Sequence, residues 1–189
     1  DWFVWGGIGT TTKNRTAFGV NQCRSPAEFT DGLSNTLFLS EGKAYLTYYR
    51  DCPTFSKVND PKNIPAPDAD PYDVVPEYLG GCALRVDEGR TQWFESGVHH
   101  TGLTTAWTPN KPTPGGPNKI YADVDINCSR EKLGRPSFAA VTARSYHPGG
   151  VNTLQGDGSV RFIKDSINGY TWRALGSVAG GEVISADSY

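Results

Sequence analysis

Glycine and proline interrupt the chain along its whole length, and this constrains its fold more than any other feature. The 189 residues include 22 Gly and 13 Pro, and both residue types weaken or break a helix interior. Strand-forming aromatics are frequent, with 9 Tyr, 8 Phe and 5 Trp; such residues suit a half-buried pleated surface. The sequence therefore predicts an α+β fold: a single β-rich domain over residues 1–189, mainly antiparallel sheet, with long Pro/Gly loops and short helices.

Two proline-rich stretches are predicted to be long surface loops. The first lies near residues 53–80, where six prolines fall between Pro53 and Pro76. The second spans residues 109–118 and contains four prolines. Proline removes a backbone donor from a strand ladder, so neither stretch suits the interior of a sheet. Loops of this length often carry binding residues.

Short elements are predicted between and before these loops. Ser25 to Glu28 combine a capping serine, an early proline and a capping-box glutamate, which predicts one helical turn. Thr36 to Tyr49 is rich in β-branched and aromatic residues and predicts one long strand or two. Thr91 to Trp107 and Lys119 to Ile126 carry short strand patterns with an exposed face.

The last quarter of the chain has the clearest pattern. Val151–Leu154 and Ser159–Ile163 alternate apolar and polar residues around a Gln-Gly-Asp-Gly turn, which predicts a β-hairpin. An apolar stripe across residues 169–176 predicts a short helix, with Trp172 facing the core.

Charge and hydropathy exclude some partners. The net charge is −2 and no Lys or Arg cluster is longer than two residues, so the basic surface that nucleic-acid binding needs is not expected. No stretch reaches the roughly 18 apolar residues of a membrane-spanning helix. Because the chain starts without Met or a targeting segment, we expect it to be a fragment or a processed product; the sequence does not decide whether a missing N-terminal segment carries an anchor or another domain.

The four cysteines are candidates for disulfides. No pair of them has the short spacing of zinc ligands, and four cysteines allow three pairings, among which the sequence does not choose. The alternative is buried thiols in a reducing compartment. An even number of cysteines in a Gly/Pro-rich chain favours an oxidising location. The candidates are Cys23, Cys52, Cys82 and Cys128.

The C-terminal third resembles a specific family. His147 is followed by nine residues and then Asp157-Gly158, within SYHPGGVNTLQGDGSVRFIKDSI, and WRALGSVAGGEV comes shortly after. This region resembles the planctomycete pilin-like proteins with a C-terminal His-x9-Asp-Gly motif, which are similar to type II secretion pseudopilins. Further segments are similar to members of that family, over about Asn14 to Glu182: Phe29–Thr36, Gly97–Gly102 and Thr108–Asn110.

The resemblance implies a location and an architecture more than an activity. A full-length relative would have a prepilin peptidase site, a hydrophobic N-terminal helix and a β-rich domain outside the membrane. We expect this chain to be such a pilin-like head without the N-terminal helix, extracellular, at the cell surface or in the periplasm. The implied partners are other pilin-like subunits or components of the surface and secretion machinery.

The motif residues could also carry chemistry. His147 precedes one hairpin strand and Asp157 lies in the turn, so a His–carboxylate pair of a hydrolase is one hypothesis. No nucleophile elbow accompanies the pair, which favours a structural role in which Asp157-Gly158 sets the turn. His99 and His100 could join His147 at a metal, but neighbouring strand residues point to opposite faces, which argues against that site.

Two further ligand classes are suggested by side-chain type. No cofactor is expected, with Ca²⁺ as the alternative: carboxylate oxygens suit this ion, but no EF-hand pattern is present, which favours solvated loop charge. Exposed aromatics could stack on sugar rings, although large aromatics are first of all core residues. The calcium candidates are Asp68, Asp70, Asp73, Asp123 and Asp125, and the glycan candidates are Trp2, Trp5, Trp93 and Trp107 with Tyr48 and Tyr49.

The sequence therefore predicts a non-catalytic surface domain of pilin-like, structural or secretion-associated type. The first alternative is a carbohydrate-binding or adhesive module that uses exposed Trp and Tyr residues. The second is a hydrolase that uses His147 and Asp157.

Overall fold

The computed structural model confirms the α+β, β-rich fold class. It describes residues 16–19, 23–52, 65–73, 81–95, 97–128, 139–185 and 188. In these ranges the strands form two sheets and every helix is short. Most strand pairs are antiparallel, as the sequence predicts, and one pair is parallel.

The first strands follow the predicted capping pattern. A 3-10 helix at Pro26–Glu28 has Ser25 as its N-cap, and the Ser25 amide donates to the Glu28 carboxylate at 2.7 Å. A second 3-10 helix, Leu33–Asn35, leads into strand β1 at Leu37–Ser40. Strand β2 follows at Leu46–Arg50. The segment that allowed one strand or two therefore forms two, and they belong to different sheets.

The C-terminal hairpin forms the centre and one edge of the first sheet. Strands β6 (Gly150–Gln155) and β7 (Val160–Lys164) pair antiparallel, and β1 adds to the other side of β6. The order is thus β1-β6-β7. This hairpin was predicted from its local alternation, and the structure confirms it.

The second sheet contains β2 and three further strands: β3 is Ala83–Gly89, β4 is Asp125–Asn127 and β5 is Ala139–Ala140. Their order is β3-β2-β4-β5. The pairing of β2 with β4 is parallel. All three residues of β4 are buried, so the predicted exposed face of the Lys119–Ile126 strand is wrong: β4 lies between two neighbours in the interior of the sheet.

Three further short helices lie in the ranges 97–128 and 139–185. Helix α1 is a single turn at Val98–Thr101, so the strand pattern read across Thr91–Trp107 is wrong at this point. A 3-10 helix follows at Pro117–Lys119. Helix α2, Gly169–Leu175, is the predicted C-terminal helix, and the Asn168 side chain caps it by accepting from two backbone amides. Such a cap satisfies donors that a helix start leaves open.

The main apolar cluster includes residues of the first sheet and helix α2. Trp172 is fully buried there, as the apolar stripe predicts. The cluster consists of Leu37, Ala143, Val151, Ile163, Ile167, Trp172 and Leu175.

The structure describes one of the two predicted surface loops in full and the other only in part. Much of the loop near 53–80 lies outside the described residues. The stretch 109–118 is not a simple surface loop, because Thr113 and Gly115 are buried and form isolated β-bridges with Asp123 and Tyr121. Pro112 and Pro114 lack a backbone N–H, so the segment forms isolated bridges and not a continuous strand, yet it still reaches the interior.

One disulfide forms, between Cys52 and Cys82, with 30 residues of sequence separation. Cys23 is exposed and outside it. Cys128 is buried, and its thiol donates to the Cys52 carbonyl at 3.7 Å. In the described part of the chain, no helix is long and apolar enough to cross a bilayer.

Candidate functional site

The two halves of the His-x9-Asp-Gly motif lie at opposite ends of strand β6. His147 precedes the strand and Asp157 follows it, and the six residues between Gly150 and Gln155 span roughly 20 Å at about 3.3 Å per residue. The hypothesis of a His147–Asp157 pair is therefore wrong. The Asp157 carboxylate instead accepts from the Ser159 amide at 2.9 Å and the Ser159 hydroxyl at 2.7 Å.

His147 pairs with a carboxylate that the sequence did not indicate. Its Nε2 lies 3.1 Å from Oε1 of Glu41, which follows β1. Glu41 also accepts from the Asn152 backbone amide at 2.8 Å and from its side-chain amide at 3.1 Å. Partial burial opposes the charge of Glu41, but Asn152 and His147 together hold its pKa below the ordinary value. Glu41 thus ties β6 and the motif histidine to the end of β1.

Ser145 stands next to this pair but is not aligned as a nucleophile. Its hydroxyl donates to the Gly150 carbonyl at 2.6 Å and accepts from the His147 backbone amide at 3.1 Å. The Ser145 amide donates to the Asn110 side chain at 2.9 Å. A serine nucleophile needs its hydroxyl on the imidazole that takes its proton. The contacts of Ser145 instead fix the backbone that leads into β6.

A network of buried charges lies beside the second sheet. Arg144 is 1% exposed and donates to the Asp123 carboxylate at 2.8 Å and to the Thr113 hydroxyl at 2.9 Å. Asp125 is equally inaccessible, with Arg144 at 3.8 Å and Arg90 at 3.9 Å. Burial raises the pKa of Asp125, while the two arginines oppose that shift. Burial likewise lowers the pKa of Arg90.

This network shows that the calcium hypothesis is wrong for Asp123 and Asp125. Asp123 and Asp125 are already compensated by arginine side chains, which would repel a cation. In the loop, the Asp70 carboxylate accepts from the Tyr72 amide at 2.9 Å. Within the described ranges, the carboxylates of Asp68, Asp70 and Asp73 do not converge as a metal-binding group.

The aromatic candidates separate into core and surface. Trp107 is 1% exposed and belongs to the core, so it is not available to a glycan. Trp93 is 86% exposed and Phe94 is 75% exposed, with their rings edge to face at 6.0 Å. Tyr48 is buried. The Tyr49 hydroxyl oxygen accepts a hydrogen bond from the Gly116 amide at 2.8 Å, so it is used within the protein. Trp2 and Trp5 lie outside the described residues.

Helix α1 brings together a possible metal-binding group that the sequence pattern does not favour. His99 and His100 are both buried, and their ring centroids are 4.2 Å apart. Nε2 of His100 lies 3.3 Å from Oε2 of the exposed Glu95. The donor atoms of Glu95, His99 and His100 all lie within 4.8 Å of one another. The prediction that adjacent histidines diverge is wrong, because they lie on a helical turn and not on a strand.

The His99 ring is held from two further sides. Tyr48 of β2 stacks on it at 4.7 Å, and the Asn127 side-chain nitrogen lies 2.7 Å from its Nδ1. Burial is the main reason that the pKa of His99 is lowered to about 4, with the neighbouring His100 adding to the effect. The imidazole is therefore neutral at physiological pH. Only the His-His dipeptide itself signalled this group in the sequence, since Glu95 and Asn127 are placed by the fold.

Together, the fold and these sites define a β-rich α+β protein with one disulfide and a C-terminal hairpin that carries the His-x9-Asp-Gly motif. The chain belongs to the family described as Protein of unknown function (DUF1559), SBP_bac_10, whose model matches residues 4–169. The match includes His147, Asp157 and Gly158 and ends before the WRALGSVAGGEV segment. No curated protein and no solved structure matches the chain significantly.

Proposed function

We propose that this chain is the non-catalytic, extracellular or cell-surface head of a pilin-like protein, with a structural or secretion-associated role. The observation that carries the proposal is how the motif residues are used. His147 is tied to Glu41 at one end of β6, and Asp157 organises the turn at the other end. The motif thus anchors a scaffold strand instead of assembling a reactive centre. Its resemblance to the planctomycete pilin-like motif supplies the proposed class.

The disulfide supports the proposed location. Disulfides persist in oxidising compartments and are rare in the cytosol. The Cys52–Cys82 bond joins the residues directly around the β2–β3 pair, so it belongs to the second sheet. We further propose that the partners are other pilin-like subunits or components of the secretion machinery, and that neither nucleic acid nor a bound cofactor is part of this role.

The proposal is tested on natively sourced protein. Intact cells are labelled with a membrane-impermeant biotin reagent, and the labelled chain is analysed by mass spectrometry without reduction. We expect labelling of intact cells, a Cys52–Cys82 linked peptide, and recovery of the chain with sheared surface filaments or the secretion apparatus. A cytosolic protein is the matched control for cell integrity. Labelling only after lysis, or four reduced thiols, would contradict the proposal.

The aromatic pair favours one alternative, a carbohydrate-binding module. Trp93 exposes most of its surface, and exposed Trp faces are suited to stacking on sugar rings. The partner ring of Phe94 is perpendicular, with an interplanar angle of 88°, so the pair offers one face and not a flat platform. Glycan-array binding that Trp93→Ala abolishes and Phe162→Ala preserves would establish this alternative. A blank array would remove it.

The structure does not support a hydrolase that uses His147 and Asp157 together. It required His147 to share a site with Asp157, and these residues lie at opposite ends of β6.

A further inference from the structure

We propose that Glu95, His99 and His100 form a binding site for one divalent transition-metal ion of the zinc type. The site lies at helix α1, away from the hairpin motif, and is independent of the function proposed above. The proposal rests on the convergence of two buried imidazoles and one carboxylate. Two histidines with a glutamate are a known ligand set for zinc.

The spacing of the donors suits a tetrahedral ion. Metal bonds of about 2.0–2.1 Å place neighbouring tetrahedral ligands roughly 3.4 Å apart. His100 Nε2 and Glu95 Oε2 are separated by 3.3 Å, close to that edge length. All three ligand atoms lie within 4.8 Å of one another, and the partly exposed Glu95 carboxylate is the one free to adjust toward an ion between them. The Glu95 side chain is 46% exposed, so an ion can reach the group from solvent.

The polar contact of the His100 ring is one that an ion can replace. In the described part of the chain, the one polar contact of the ring joins its Nε2 to the Glu95 carboxylate, and imidazole nitrogen and carboxylate oxygen are both zinc ligands. Nδ1 of the same ring has no hydrogen-bond partner there, so no second polar contact fixes the ring.

His99 is positioned as metal-bound imidazoles usually are. Tyr48 stacks on the ring, and the Asn127 side chain meets Nδ1 at 2.7 Å. Turning the Asn127 amide by half a turn places its oxygen to accept from Nδ1, which leaves Nε2 as the ligand atom. An acceptor that hydrogen-bonds to the other ring nitrogen fixes the tautomer that binds metal. Asn127 is therefore a positioning residue.

Glycine at position 97 keeps the approach between the ligands open. A Cβ there would lie 2.9 Å from Cε1 of His99 and 3.2 Å from Oε1 of Glu95. The nearby cation Arg50, which would oppose a metal ion, has Asp51 at 3.2 Å from its guanidinium.

The test measures Zn²⁺ binding to the whole chain, freed of any histidine tag, by equilibrium dialysis. Co²⁺ serves as a spectroscopic probe of coordination geometry. We expect one ion per chain, a tetrahedral Co²⁺ spectrum without a thiolate charge-transfer band, and a higher melting temperature with saturating Zn²⁺. Glu95→Gln and His100→Gln should each weaken binding about tenfold or more, since losing even a residue that only hydrogen-bonds to a ligand commonly costs about 10–100-fold.

Matched controls keep the result specific. Glu88→Gln removes an exposed glutamate of β3, and His147→Ala removes the histidine outside the group; both should bind Zn²⁺ like the wild type. Near-UV circular dichroism checks that each variant is folded. The proposal is overturned by the absence of a stoichiometric ion, by affinity unchanged in both ligand variants, or by cobalt spectra that show thiolate ligation and disappear in Cys23→Ser.

Discussion

At the scale of single residues, the buried guanidinium of Arg144 connects segments that are distant in sequence. Besides Asp123 and Thr113, it donates to the Lys111 carbonyl at 3.0 Å. Its backbone amide donates to the Glu41 carbonyl at 3.1 Å. One side chain thus joins the predicted loop 109–118 to the segment between β5 and β6. The Arg144 side chain is 1% exposed, so water cannot replace the protein groups that compensate its charge.

Removing this cation should strongly destabilise the fold. Arg144→Met leaves Asp125 buried with one arginine fewer, and we expect a loss of about 3–5 kcal/mol in the free energy of unfolding. Urea unfolding followed by tryptophan fluorescence measures this loss. Lys164→Met, which removes an exposed cation on β7, is the control and should change stability by less than about 0.5 kcal/mol. Equal midpoints for the two variants would contradict a structural role for Arg144.

The carboxylate of Asp31 holds the segment after helix α2. It accepts from the Gly180 amide at 2.7 Å, the Gly181 amide at 2.9 Å and the Ser177 hydroxyl at 3.0 Å. Partial burial disfavours its charge, but these three donors outweigh that effect and lower the pKa of Asp31 below 3.8. The ionised form therefore stabilises the folded state.

Because the pKa of Asp31 is lowered in the folded protein, the stability of the fold depends on pH. A carboxyl whose pKa is lower in the folded protein contributes stability above its unfolded pKa, and the contribution is lost as the pH falls through the folded value. Asp31→Asn should reduce stability at pH 7 by about 1–2 kcal/mol and should make the acid-induced loss of stability shallower. Urea titrations between pH 7 and pH 2 measure both effects. The control Asp87→Asn changes an exposed carboxylate of β3, and a profile of Asp31→Asn that matches it would refute the assignment.

At the scale of elements, the sequence predicted those structures whose information is local. The Ser25–Glu28 capping box, the hairpin of β6 and β7 and helix α2 each depend on neighbours within a few residues. Helix α1 was missed because one turn of four residues leaves no helical periodicity to detect. Strand β4 was placed on an exposed face because its aspartate is compensated by arginines that are distant in sequence.

The turn between β6 and β7 requires a positive φ at Gly158, and this requirement can be tested by substitution. Its φ is 85°, in the region that L side chains rarely adopt, although nothing lies within 4 Å of an added Cβ. The effect of Gly158→Ala should therefore be backbone strain alone, about 1 kcal/mol of stability. Gly158→Asn should cost less, because asparagine tolerates positive φ better than alanine. Thermal unfolding measures both; equal losses for the two variants would argue against conformational strain.

At the scale of the whole molecule, the sequence predicted the fold class but not the sites. The turn role favoured for Asp157 depends on neighbours two residues away, whereas the partner of His147 is Glu41, which is 106 residues away in sequence. Glu95, His99 and Asn127 meet because α1 packs beside β4, which no spacing in the sequence shows. Similarly, four cysteines allowed three pairings, and only the adjacency of β2 and β3 selects Cys52 with Cys82.

That disulfide should contribute measurably to global stability. It closes a loop with 30 residues of separation, and restricting the unfolded chain by this amount is worth about 3.5 kcal/mol. The double variant Cys52→Ala/Cys82→Ala should lose about that much in urea unfolding, and added reductant should destabilise the wild type but not the variant. Cys23→Ser is the control, since this exposed cysteine is outside the bond. Reductant-insensitive unfolding of the oxidised wild type would show that the bond does not support the fold.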